Sequence, residues 1–393
     1  MGSDLCRAAG FLDSLRISPN GPFSFVPGKG PSLYGTTFAL LGRYYLGRDL
    51  RPDEVPLPFL EAHLDPETGY YAGPDLEEIR LPAYDRLHLM QHLTCHVLPL
   101  LDLLGVMPPP LQHARRYLDL DYLQEWLDRR DLSNPWLEGN NLLFVGQFLV
   151  HLRDVERAPG AQDALNVWFD WHDQRVDPDT GMWGSDGLCD HFKAMCGGYH
   201  QLLVYYFEKH PVASPERLVD VTLSLQHPDG GFAPWGGGGA CEDADAVDIL
   251  VNLYKLQDYR RGDIRAALRR TLRSILELQN DDGGFPYNRG GSWTYMSMGN
   301  TEAGPGQSHA FGTWFRVHTL ALIAQILDDP ALTGIGFRFN RVLSMGWHRP
   351  WSNEAKVQAC TGSESAYERS LRLRYLRWRA KRVLGAVKRR ISS

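Results

Sequence analysis

Apolar residues recur along this chain at three- and four-residue steps, the spacing of one face of a helix, as at Ile249, Leu250, Leu253 and Leu256. No segment alternates apolar and polar residues as a half-buried strand would, so a sheet is not expected. The pattern repeats. FLDSLRISPNGPFSF leads into SLYGTTFALLGRYYLG, and FLEAHLDPETGYYAG into AYDRLHLMQHLTCHVLPLLDLLG. YLQEWLDRRDLSNPWLEG leads into NNLLFVGQFLVHL, and WFDWHDQRVDPDTGMWGSDG into HFKAMCGGYHQLLVYYF. LSLQHPDGGFAPWGGGG leads into EDADAVDILVNLYKL, and ILELQNDDGGFPYN, after an insertion, into SHAFGTWFRVHTLALIAQIL.

Each unit is a polar-faced helix, a turn, an aromatic and a second, more apolar helix. The turn positions are Gly21, Gly69, Asn134, Gly181, Gly230 and Gly283, in steps of 47 to 65 residues. One such hairpin cannot bury its apolar face alone, whereas six closed into a ring can. The expected fold is therefore all-α, an (α/α)6 toroid of six helical hairpins over residues 1–350. A basic amphipathic tail is expected over 351–393. The second helices would form the inner ring. All six turns, and the positive N-terminal ends of the inner helices, would then meet at one end, where a site is expected.

Charge sharpens this picture. The net charge is −6, yet from Arg369 onward there are ten Lys/Arg and no Asp/Glu, which leaves the remainder near −16. An acidic body argues against a nucleic-acid partner. The tail sets Leu373, Leu376, Val383, Val387 and Ile391 among basic residues, the pattern of a helix lying on a membrane surface or docked on the acidic body. Six scattered Cys with no CxxC pair suggest reduced thiols rather than a disulfide framework or a zinc ribbon. With no signal-peptide pattern and no long apolar run, a cytoplasmic location is expected, with peripheral membrane contact through the tail.

The repeats LQHPDGGF and LQNDDGGF, with FGTWFR, resemble the repeat of the prenyltransferase, squalene–hopene cyclase and oxidosqualene cyclase (terpenoid cyclase) superfamily. The resemblance implies an α/α toroid in which Gln226, Phe232, Gln279, Phe285 and Trp314 tie helices together. It also implies an isoprenoid-handling enzyme with a small-molecule or lipid-like substrate, and room for a second subunit. The cluster Cys241-Glu242-Asp243-Ala244-Asp245-Ala246-Val247-Asp248 is placed like that family's acidic motif. The match makes Asp245 the proton donor and Asp243 its partner, with Ala246 where the family has Asp. An acid of this kind must be held neutral by burial and crowding. The bland alternative is that Glu242 and Asp243 only cap a helix.

No metal is expected, although the prenyltransferase resemblance leaves open a zinc held by Cys241, Asp243 and His309. His309 is a second candidate acid/base, being at the start of the sixth inner helix. Expected substrate contacts at the same end are Glu242, Asp248, Asp190, His191, Trp235, Trp293, Tyr295, Glu302, Trp314, Tyr84 and Asp85, with Asn140 and Asn141 beside them. Trp293, Tyr295 and Glu302 belong to the insertion 289–308, whose length suggests a lid or binding loop. His88, His92 and His96 share one helix face and are read as buried structural histidines. Two other functions remain open: a carbohydrate-active toroid (hydrolase, lyase or epimerase) working through two carboxylates, or a non-catalytic binding toroid.

Overall fold

The computed structural model describes residues 5–78, 84–184, 186–288, 290–349 and, beyond them, 367, 369–373, 375–377 and 380. The chain is all-α, as its periodicity requires. Twelve of the α-helices form six consecutive pairs: α1 (Cys6–Ser14) and α2 (Leu33–Tyr45), α3 (Leu57–Glu61) and α4 (Arg86–Leu104), α5 (Leu120–Asp128) and α6 (Pro135–Asp154), α7 (Ala161–Asp173) and α8 (His191–Glu208), α9 (Pro215–Leu225) and α10 (Ala240–Leu256), α11 (Arg261–Leu276) and α12 (Ala310–Ala324). A two-residue hairpin, β1 (Phe23–Ser24) with β2 (Pro31–Ser32), is the departure from the expectation of no sheet. Its strands are too short to show an alternating pattern.

The second helix of each pair is buried nearly all round. In α10 every residue from Glu242 to Tyr254 is buried, whereas α11 buries only a stripe through Ile264, Leu268, Leu272 and Ile275. The buried helices touch in a closed cycle, each meeting the next and α12 meeting α2. Tyr34 of α2 reaches His92 of α4, and Gln147 of α6 donates to the Cys95 carbonyl of α4 at 3.0 Å. Gly139 of α6 lies so near α8 that an added Cβ would sit 2.6 Å from the Gly197 oxygen. Arg316 of α12 pairs with Asp243 of α10, and Trp314 stacks on Phe38 of α2 at 4.7 Å. The less buried helices pack outside, α1 against α2 and α12, α7 against α6, and α9 and α11 against α10.

The DGG turns are built by their glutamines. Gln226 Nε2 donates to the oxygens of Gly230, Ala267 and Thr271, and Gln279 Nε2 to Gly283 O at 2.8 Å. Gly283 has φ +87°, and a Cβ there would meet the Arg7 carbonyl at 2.5 Å, so glycine is what lets the last turn close on the first helix. Phe232 and Phe285 are fully buried beside these turns.

After α12 the chain crosses the C-terminal ends of the inner helices. Arg341 ties it to Asp102 at the end of α4, and Trp347 meets Phe207 of α8. Most of the expected basic tail lies outside the described residues, and its membrane role with it. Of the described part, Leu371 is buried and the Tyr367 hydroxyl donates to Gln226 Oε1 at 2.8 Å. The ring of Tyr375 meets His227. No described helix is long and apolar enough to cross a membrane.

Candidate active site

The N-termini of the inner helices surround a cavity of ≈ 470 Å³ lined by Tyr84, His92, His96, Trp136, Asn140, His200, Cys241, Asp245, Tyr287, Trp293 and Tyr295, with Met345 of the crossing segment also in its wall. Several of these positions follow from local capping. Asp85 caps α4 by accepting from His88 N at 2.7 Å, and Asp190 caps α8 by accepting from Lys193 N at 2.9 Å. These caps fix where α4 and α8 begin, and so how deep His92, His96 and His200 stand.

Asp245 is 2% exposed and its Oδ2 has no hydrogen-bond partner. Burial, then the neighbouring Glu242, Asp248 and Asp243, push its carboxyl well above the usual carboxylate range. Burial and the crowded carboxylates thus favour its protonated, uncharged form. Among the described residues it is the one carboxyl that lines the cavity. Glu242 turns to Tyr287, whose hydroxyl donates to Glu242 Oε1 at 2.8 Å. Asp248 lies deeper, accepts from Asn252 Nδ2 at 2.9 Å, and is pushed by burial to about 8.

The imidazoles that line the same cavity are driven the other way. Burial lowers His96 to about 3 and His200 to about 4, and lowers His92 well below the ordinary histidine value with help from the other histidines. All three are neutral. His200 Nδ1 lies 2.7 Å from the Cys196 carbonyl and must be the protonated nitrogen, which leaves the Nε2 lone pair free. A second chain of bonds fixes His92. The Tyr34 hydroxyl donates to Leu89 O at 3.2 Å and so accepts from His92 Nδ1 at 3.0 Å. His92 Nε2 then accepts from the Tyr295 hydroxyl at 3.2 Å. This tautomer is assigned from the bonding pattern.

Tyr295 reaches the cavity from the insertion, which folds over the mouth instead of hanging free. Trp293 and Ala303 exchange backbone bonds at 3.0 and 2.8 Å, Thr301 holds Tyr295 N at 3.0 Å, and Met296 and Ser297 take left-handed φ of 43° and 61°. Asn300 Nδ2 donates at 2.7 Å to Asp75 Oδ1, while Asp75 Oδ2 accepts from Leu33 N at 2.7 Å at the start of α2. Trp293 stacks on Tyr287 at 4.5 Å and on His309 at 4.9 Å.

Several expected site residues stand elsewhere. Asp243 accepts from Arg316 and from Phe232 N, and Arg316, fully buried, also donates to Tyr287 O, so the pair clasps the two DGGF turns together. His309 is fully buried under Trp293, its Nδ1 accepting from Gly312 N at 3.1 Å. Burial lowers it to about 3. Trp314 is fully buried behind the cavity wall, and Glu302, Asp190 and His191 are exposed. Cys241, Asp243 and His309 do not converge, because Cys241 Sγ lies against Glu242 and Tyr287 while the other two face Arg316 and Gly312. Among the described residues no cluster of His, Cys, Asp and Glu could hold a metal ion, so the zinc alternative is withdrawn.

The sequence does not single out Tyr34, Tyr287 or His200, and it presents His92 and His96 as structural. The signal that could have found His92 and His96 is the row of histidines at four-residue steps on a buried inner helix, where a polar side chain needs a reason to be.

No family model matches the chain. No curated protein matches it. Among solved structures, a polysaccharide lyase aligns over 82% of this chain and 96% of its own, at 12% identity and a TM-score of 0.44, too low to establish a shared fold. These findings overturn the terpenoid-cyclase resemblance. The Q-x-x-D-G-G-F sequence is accounted for by its turn chemistry alone: a glutamine closing a glycine turn over a buried aromatic.

Proposed function

We propose that this chain is a carbohydrate-active enzyme built on an (α/α)6 toroid, and that it performs a proton-transfer elimination on a uronic-acid glycan. The observation that carries this reading is that one buried carboxyl, Asp245, whose protonated form burial favours, lines a single cavity together with His92, His96, His200 and Tyr295. Glycoside hydrolysis ordinarily uses two carboxyl groups across the bond. Here the cavity that holds the lone carboxyl also offers lone pairs on nitrogen, which suits abstraction of a carbon-bound proton.

The roles follow from protonation state. The neutral Asp245 O–H and the Asn140 amide donate to the substrate carboxyl group and stabilise the enolate that forms. His200 Nε2 accepts the proton from the adjacent ring carbon. Tyr295 donates its proton to the departing glycosidic oxygen as the carbon–oxygen bond breaks, leaving an unsaturated sugar. His92 Nε2 holds the Tyr295 O–H in the free site, and on substrate binding that O–H turns from His92 to the glycosidic oxygen. Asp243 and Arg316 are assigned a positioning role, because both are committed to the turns.

The test is incubation of the full chain with alginate, pectate, hyaluronan and neutral glucans. The ultraviolet absorbance of unsaturated products is read together with new reducing ends. Unsaturated ends from at least one uronic-acid polymer, abolished by His200→Gln, are expected. Reducing ends without unsaturation would replace elimination by hydrolysis. No cleavage of any polymer would remove the enzymatic reading.

A further inference from the structure

A row of aromatic rings leaves the cavity on the side of α6 and α8. Trp136 lines the cavity wall. The ring of Phe192 stands edge-on to it, centroids 6.0 Å apart at 84°. Trp235 stands against Phe192 at 4.6 Å and 68°. Phe192 is buried between the other two, whereas Trp235 is 50% exposed.

The sequence around Trp235 keeps it open. Four glycines follow it, Gly236 to Gly239, and offer no side chain to cover the indole. Gly236 and Gly237 take φ of +89° and +67°, which turn the backbone sharply back toward α10. Gly239 then passes so close to Tyr287, itself in the cavity wall, that a Cβ would lie 2.1 Å from its ring. The glycine run therefore joins the cavity wall to an uncovered indole. An indole held rigidly by a buried ring, beside a cavity, is a surface for a ligand with an apolar face. Pyranose rings have such a face in their C–H groups.

We infer that the substrate is an oligosaccharide chain rather than a single sugar, and that Trp235 forms a distal subsite for a residue outside the cavity. The inference rests on the carbohydrate reading of the same site. One sugar occupies the cavity beside Asp245, and the chain passes over Trp136 to stack on Trp235. Phe192 takes no direct part and holds the Trp235 ring in place.

The experiment is calorimetric titration of the full chain, carrying His200→Gln so that the ligand is not cleaved, with dimers and hexamers of three series: oligogalacturonate, oligomannuronate and hyaluronan. A hexamer is expected to bind at least tenfold more tightly than its dimer. Trp235→Ala should collapse that ratio toward one, and Trp235→Phe should restore most of it. Trp235 is half exposed, so its loss does not threaten the fold, and circular dichroism of each variant checks this. Dimer binding with no hexamer advantage, or a hexamer affinity unmoved by Trp235→Ala, would overturn the distal subsite and leave the carbohydrate reading standing. If no member of any series binds, both fall together.

Discussion

The hydroxyl of Tyr295 lies 3.2 Å from Nε2 of His92, a residue 203 positions earlier in the chain. This contact joins the insertion before α12 to the histidine face of α4. The Tyr295 ring also packs on Phe25, Phe38 and Phe311, so the aromatic body and the hydroxyl have separable duties. Tyr295→Phe should keep the fold and most of the substrate affinity. It should lower kcat by about 10²- to 10⁴-fold, the usual contribution of a positioned acid. Steady-state kinetics beside a thermal melt separates the two effects, and an unchanged kcat would remove Tyr295 from the proton path.

The insertion is held at the mouth by Asn300 on Asp75. Asn300→Ala removes that tie and leaves the buried Asp75 with its backbone partners. Small displacements of a reacting group are costly, about 10²-fold for 1 Å. Catalytic efficiency should fall by about tenfold or more with little change in melting temperature. A large loss of stability with normal activity in the surviving fraction would make the contact structural only.

The buried Arg316–Asp243 pair predicts a stability effect. Arg316→Met leaves a carboxylate without its partner in a dry interior. Breaking a buried pair from one side costs about 3–5 kcal/mol. Urea unfolding should show a loss of that order, partly recovered when Asp243→Asn is added. A loss below about 1 kcal/mol would mean that water or another cation replaces the guanidinium.

Asp248 should make stability depend on pH. Its carboxyl titrates at about 8 when folded and near 3.8 when unfolded. Between those values the unfolded chain has released the proton and the folded chain has kept it. Stability is therefore fully present below about pH 4 and is lost as pH rises toward 8. Asp248→Asn has no proton to lose, and its Oδ1 can still accept from Asn252. A tenfold difference in proton affinity is worth about 1.4 kcal/mol. The variant should therefore gain on the order of a few kcal/mol over the parent at pH 8 and nothing at pH 4. Denaturation at both pH values checks this, and equal differences at the two would contradict it.

The fold was legible because its signals are local. Helix spacing, glycine turns and the glutamines that close them all lie within a few residues of one another. Asp245 was legible for a related reason, since a run of acids at the start of an apolar helix is conspicuous in one dimension. The partners of Asp243 were not. Arg316 sits in a largely apolar helix 73 residues on, and only the closed cycle of helices brings it to α10. His309 resembles a catalytic residue because it begins an inner helix, yet its own helix N-terminus uses its Nδ1 and Trp293 covers it. His92, His96 and His200 converge only in the folded ring, which gathers residues from helices far apart in the chain. The DGGF turns pointed to the wrong chemistry for the converse reason, since a motif that builds a turn says nothing about the cavity above it.

The pH profile of kcat/KM tests whether Asp245 works as a protonated carboxyl in a cavity shared with neutral imidazoles. His200 must be neutral, so activity should fall below about pH 4. Asp245 must keep its proton, so activity should also fall as pH rises through its elevated pKa. Asp245→Asn keeps a hydrogen-bond donor and loses the titration. On a glycan that the wild type cleaves, this variant should retain measurable turnover, and its alkaline limb should disappear or move sharply upward. An alkaline limb identical in the two proteins, or rates identical at every pH, would contradict it.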